Sequence, residues 1–261
     1  MIFGFPNTTR ALFRNNFLRT VTFQYNYDSI EINSLKDKLR DAFMDQFPRI
    51  NEGKNVSYEI QAANGQTPII KSTTESNGFV LQSTDGLKRI NFTNTSAIVT
   101  VLGNAYRKYE EIIPVLEKVK TVLMNTGVNE LKRVSERKVN IITFTSQENS
   151  LSSIFSDLFA PGIVDSIEAF PQPETLRQSM HSIVLNKDSY RLNLNYGAPE
   201  FDNTQRPLTG SIVVDIDLIK FGSSQITKLL DHTTELNSEI FSVFSWVTSD
   251  KMKREIMGYE K

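Results

Sequence analysis

Residues 17–27, FLRTVTFQYNY, alternate along the chain: Phe17, Val21, Phe23, Tyr25 and Tyr27 fall on one face, and Thr20, Thr22, Gln24 and Asn26 on the other. A period of two with one apolar side is the pattern of a half-buried strand. The period then changes. Leu35, Leu39, Phe43 and Phe47 recur at helical spacing behind Ser34 and Asp37, which fit a capping box, and Pro48 follows, so the pattern predicts a helix over 34–47. Residues 51–78 are rich in Asn, Gly, Ser and Thr around two short strand-like pieces and predict an exposed hairpin or meander. KRINFTNTSAIVTVL (88–102) has the β-branched content of one long strand. After it, Tyr109, Ile112, Ile113, Leu116, Val119 and Leu123 form a helical stripe, in which Pro114 kinks the helix or starts a new one.

ELKRVSERKVNIITF (130–144) reads as a further strand, polar at first and apolar at its end. The stretch 146–178 is a connection that contains SLSSIFSDLF, a short amphipathic helix, followed by the loop signals APG and FPQPE. Beyond it, SIVLNKDSYRLNLNYG gives two strands and SIVVDIDLIKF a third; Ile226, Leu229, Leu230, Leu236, Ile240, Phe241, Phe244 and Val247 mark a long amphipathic helix. A long strand followed by a long helix thus occurs at 88–124 and again at 210–247. The expected fold is α+β: a mostly antiparallel twisted sheet with long amphipathic helices packed on one face, in which the repeat allows two similar halves. The halves would be 1–145 and 179–261, with 146–178 connecting them inside one compact unit.

Composition narrows the function. The 261 residues suffice for a substantial core, and 29 Lys and Arg against 30 Asp and Glu argue against a protein that is basic over its whole surface. There is no cysteine, which removes disulfide frameworks, thiolate metal sites and cysteine nucleophiles. No signal-peptide pattern and no apolar run of membrane-spanning length are present, so a cytoplasmic protein with no membrane partner is expected. GxSxG, GxxxxGK[ST] and GxGxxG are missing, and His181 and His232 lack the paired spacing of zinc enzymes. No cofactor is expected.

The candidate chemistry lies on strands. In residues 211–221 Ile212, Val214, Ile216 and Leu218 face one way, and Asp215 and Asp217 the other. Alternate residues lie about 6.5–7 Å apart, too far for a tight proton-sharing dyad but close enough to converge on a divalent cation. Residues 190–196 alternate in the same way and place Arg191, Asn193 and Asn195 on a polar side; if the two strands pair, Arg191 can face an aspartate across them. With Thr22, Gln24 and Asn26, one whole side of the sheet is polar. It is either solvated or a ligand or partner surface. Lys132, Arg133, Arg137 and Lys138 form the densest basic cluster, a candidate for phosphate contacts, and Arg10, Arg14 and Arg19 a basic arm. Phe241 and Phe244 share a core-facing stripe, whereas Trp246 lies off it and suits an interface.

Several segments together resemble a known family: ALFRN before the first strand, FPRI after the first helix, AYRKYEE opening the second, RVSERKVNII, VVDIDLI, and a terminal helix running through IFSVFSWVTSDKMKREIMG. Their order resembles a sporadically distributed prokaryotic family of similar chain length with unassigned function. Arg133, Val134, Arg137, Val139 and Asn140 match its middle strand, where Ser135 and Glu136 replace a Gly and a Leu and Lys138 a Tyr. Asp215 and Asp217 match its paired acidic strand, and Phe244, Thr248 and Asp250 its helix end. The resemblance implies one cytoplasmic α+β unit serving as an accessory protein of a mobile-element or defence locus, and it supplies no catalytic residues. The leading expectation is a non-enzymatic binding or adaptor protein that meets another protein chain, self or heterologous. The alternatives are a divalent-metal phosphodiesterase or nuclease using Asp215 and Asp217, and a nucleic-acid-binding protein.

Overall fold

The structure, a computed structural model, describes residues 1–6, 12–13, 15, 17–61, 69–146, 151–160, 178–199, 201–202 and 208–260. After the two-residue β1 (Leu12–Phe13), a first run comprises β2 (Leu18–Tyr27), α1 (Lys36–Phe43), β3 (Arg49–Gln61), β4 (Ile69–Gln82), β5 (Lys88–Thr93), β6 (Ser96–Leu102) and α2 (Ile113–Asn125). A second run comprises β7 (Glu130–Ser146), α3 (Leu151–Leu158), β8 (Ser179–Lys187), β9 (Tyr190–Ala198), the short β10 (Phe201–Asp202), β11 (Leu208–Gln225) and α4 (Leu229–Val247). The last strand, β12 (Tyr259–Glu260), pairs with β1.

The main sheet is antiparallel, in the order β3-β4-β5-β6-β2-β7-β11-β9-β8, with β10 added to β11. In each run the opening strand lies beside the strand that precedes the closing helix, β2 beside β6 and β7 beside β11; the two opening strands pair at the centre. The chain is therefore an α+β fold built on one large antiparallel sheet.

Two local expectations are corrected. The stretch 88–102 is two strands, because Thr93 breaks it: its Oγ1 accepts the N–H groups of Thr95 (3.2 Å) and Ser96 (2.9 Å), which closes a tight turn at Asn94 and Thr95. A hydroxyl that bonds backbone two and three residues on competes with the strand ladder. Ser34 does not cap a helix over 34–47. Its hydroxyl donates to the Glu31 carbonyl (2.8 Å), a 3-10 turn covers Ile32–Leu35, and α1 ends at Phe43. Pro114 lies in the first turn of α2, where its missing N–H costs nothing. The loop signals at 161–163 and 170–174, like Arg10 and Arg14, lie outside the described residues.

Directly opposed residues of antiparallel strands share a face. One row of opposed residues crosses the sheet from β3 to β8: Ile50, Leu81, Ile90, Val99, Phe23, Glu136, Leu218, Leu192 and Leu185. Most of this row is fully buried, and so are its neighbours Val21, Tyr25, Phe92, Leu194 and Ile216. This face meets α1 through Phe43 and Phe92 (6.2 Å between ring centroids) and α4 through the hydroxyls of Tyr25 and Thr233 (3.1 Å apart).

Glu136 is the exception in that row, a carboxylate with its side chain 0% exposed, flanked by Phe23 and Leu218. Two residues on, Lys138 points to the same side; its Nζ lies 3.2 Å from Glu136 Oε1, donates to Asn237 Oδ1 of α4 (2.6 Å) and sits over the Tyr106 ring. A buried charge survives only with such partners.

The N-terminal residues dock on α4. The N–H groups of Ile2 and Phe3 each donate to one oxygen of the buried Glu239 carboxylate (both 2.9 Å), Lys187 Nζ donates to the Ile2 carbonyl (2.7 Å), and Phe5 packs on Trp246 at 5.3 Å.

Candidate binding face

The second face of the sheet is built by the same register. The row beside the apolar one runs Arg49, Gln82, Arg89, Thr100, Thr22, Arg137, Asp217, Asn193 and Val184; the next runs Asn51, Val80, Asn91, Ile98, Gln24, Ser135, Ile219, Arg191 and Asn186. At roughly 4.8 Å between strands, each row spans about 38 Å. Arg133 and Asp215 lie on the same face, opposite Asn26 and Asn195. The strands thus bring Arg191, Asn193, Asn195, Asp215 and Asp217 together with Thr22, Gln24 and Asn26.

Side chains along single strands are linked two residues apart. Gln24 Nε2 donates to Asn26 Oδ1 (3.0 Å), Arg89 Nε to Asn91 Oδ1 (2.9 Å) and Arg191 Nε to Asn193 Oδ1 (3.0 Å). Asn193 Nδ2 then donates to Asp217 Oδ2 at 3.3 Å. Arg137 grips Asp215 with two bonds, Nε to Oδ1 (2.8 Å) and Nη2 to Oδ2 (2.6 Å). This hydrogen bond raises the Arg137 pKa further above its ordinary value. The expected partner of an aspartate, Arg191, is instead opposite Ile219; the ion pair comes from β7, on the other side of β11.

The cluster Lys132, Arg133, Arg137 and Lys138 is not one patch. Strand alternation sends Arg133 and Arg137 to the polar face and Lys138 to the buried one, while Lys132 pairs with Asp28 (3.1 Å) and Glu130 (3.5 Å) near the start of β7. Trp246 is also apart from the polar face. It is 39% exposed on α4 and lines, with Phe3, Phe5, Ile183, Leu185, Leu192 and Leu194, an apolar groove of about 430 Å³.

The metal reading finds little geometry to use. Both Asp215 oxygens are engaged by Arg137, and among the described residues no group of three or more His, Asp or Glu could hold an ion. His181 stacks on Tyr196 at 5.0 Å, and burial lowers the pKa of His232.

Asp217 is held differently from an exposed carboxylate. Burial raises its pKa, opposed by Arg133, the Asn193 hydrogen bond and Arg137. The native state therefore binds this proton more tightly than the unfolded chain, so its contribution to stability is present on the acid side of the ordinary carboxylate range and is lost as pH rises through the raised value. Asp217→Asn is expected to stabilise the protein near neutrality, with the advantage shrinking as the pH falls through the raised value and gone below the ordinary carboxylate range. Urea titrations of both proteins across that range check this; an advantage independent of pH would assign the effect elsewhere.

Sequence reasoning missed that the polar face extends to Arg49, Arg89, Asn91 and Thr100 of the first run. The signal was the alternation in residues 88–102, hidden when they were read as one strand. Among the described residues no helix is long and apolar enough to cross a membrane. No family model matches the chain, and no curated protein matches it.

Proposed function

We propose that this protein is a non-enzymatic binding or adaptor module whose polar sheet face meets another protein chain. The reading takes the long helices to lie together on the buried face, which leaves the other free for a partner. Its main support is the composition of that face. The two rows from Arg49 to Val184 and from Asn51 to Asn186 carry four arginines and one aspartate, but neither lysine nor glutamate, in a chain where both are common. Protein interfaces are enriched in Arg, Met and aromatic residues and depleted in Lys and Glu relative to other surface. Arginine also suits phosphate, but lysine binds phosphate as a point charge, so a polyanion surface would not by itself exclude it.

Exposed apolar side chains on the same face agree: Leu102, Met180, Val184 and Phe221 are each 39–46% exposed there. Desolvating such groups favours association. Amides linked along strands, such as Gln24 with Asn26, supply preordered hydrogen-bonding groups with little further entropy to lose on binding.

The test is retention from native lysate by the tagged full chain and by Thr22→Glu/Arg191→Glu. The wild type is expected to retain a stoichiometric protein that the variant loses, while a Lys120→Glu control on α2 retains it. Equal retention by all three, or none by any, would remove the reading. Salt-sensitive nucleic acid in place of protein would favour the polyanion alternative.

A further inference from the structure

We infer that β8 is a self-pairing edge, through which a second copy of this chain extends the sheet across a two-fold axis. This does not rest on the partner reading above. β8 ends the sheet path, and among the described residues no segment pairs with its outer side. Edge strands of monomers are normally blunted by charges, proline or bulges, because free N–H and C=O groups template pairing with other chains. The opposite edge is blunted in this way: β3 carries Arg49 and Glu52, and its register shifts between Gly53 and Lys54.

β8 has none of these devices over most of its length. SMHSIVLNK contains no proline or glycine, its register with β9 is unbroken, and its one lysine, Lys187, stands at the end and is bound to the Ile2 carbonyl. Met180 and Val184, on the polar face, are 39% and 46% exposed.

The strand is also complementary to itself. Antiparallel pairing about Ile183 opposes all nine residues, sets Lys187 against Ser179 of the second copy, and keeps the two lysines at opposite ends. No like charges face each other, and such opposition would be unfavourable. The axis stands perpendicular to the sheet, so both polar faces turn the same way. A C2 contact of this kind closes on itself and stops at two copies.

Sedimentation of the full chain at tens of micromolar is expected to show a dimer, and Val184→Lys a monomer with unchanged circular dichroism, since two lysines would meet near the axis. Because the chain has no cysteine, Ile183→Cys gives an independent readout. Opposed strand residues have Cα atoms about 4.5–5.5 Å apart, within disulfide range, so mild oxidation should yield a covalent dimer, whereas Asn51→Cys on the other edge should not. A monomeric wild type, or a dimer that Ile183→Cys does not cross-link, would overturn the inference. Either outcome leaves the lysate experiment standing or falling by itself.

Discussion

Lys138→Met is expected to destabilise the protein by about 3–5 kcal/mol, because it strands the Glu136 carboxylate among apolar neighbours. Glu136 is fully buried between Phe23 and Leu218, and the Lys138 ammonium lies 3.2 Å from it. At this chain size the loss corresponds to a fall in melting temperature of roughly 6–20 °C. The double variant Glu136→Leu/Lys138→Met should recover most of it, since it continues the aliphatic row and leaves no charge behind. Urea denaturation of the three proteins decides the matter. A double variant as unstable as the single one would mean that Lys138 acts through Asn237 and Tyr106 and not through Glu136.

Glu239→Ala should release the N-terminal segment and cost about 3 kcal/mol or more, given two hydrogen bonds to a charged group at about 1.5–3 kcal/mol each. Both oxygens of this buried carboxylate accept N–H groups, from Ile2 and Phe3, and alanine leaves both without that acceptor. Trp246, the single tryptophan of the chain, reports the release because Phe5 covers it at 5.3 Å. Its emission should shift to the red as that ring leaves, and the segment should become sensitive to protease. Loss of stability with unchanged emission would place the effect within α4.

The faces of β2, β9 and β11 were legible in the sequence because each strand has one apolar and one polar side, so period two shows directly. β7 was not. Its inward positions include Glu136, Lys138 and Asn140, as polar as its outward Arg133, Ser135 and Arg137, so there is no contrast for a period to act on. The apparent basic cluster followed from that: neighbours in sequence stand on opposite faces of a strand. Strand order was beyond reach for another reason. The Arg137–Asp215 pair joins residues 78 apart, and no local pattern encodes such a register. The turn at Thr93 was the one local feature within reach, since a threonine before Asn94 and Thr95 can fold back on its own backbone.

The central pairing of β2 with β7 also sets an order of events in time. About a hundred residues separate the two strands, and at translation rates of about 5–20 residues per second the edge of β2 waits on the order of 5–20 s for its partner to be made. During that interval the first run can form its meander, but Thr22, Gln24 and Asn26 border an open ladder. Their polarity, and the isolation of each apolar residue of β2 between polar ones, keeps that waiting edge from offering a continuous sticky strip to other nascent chains.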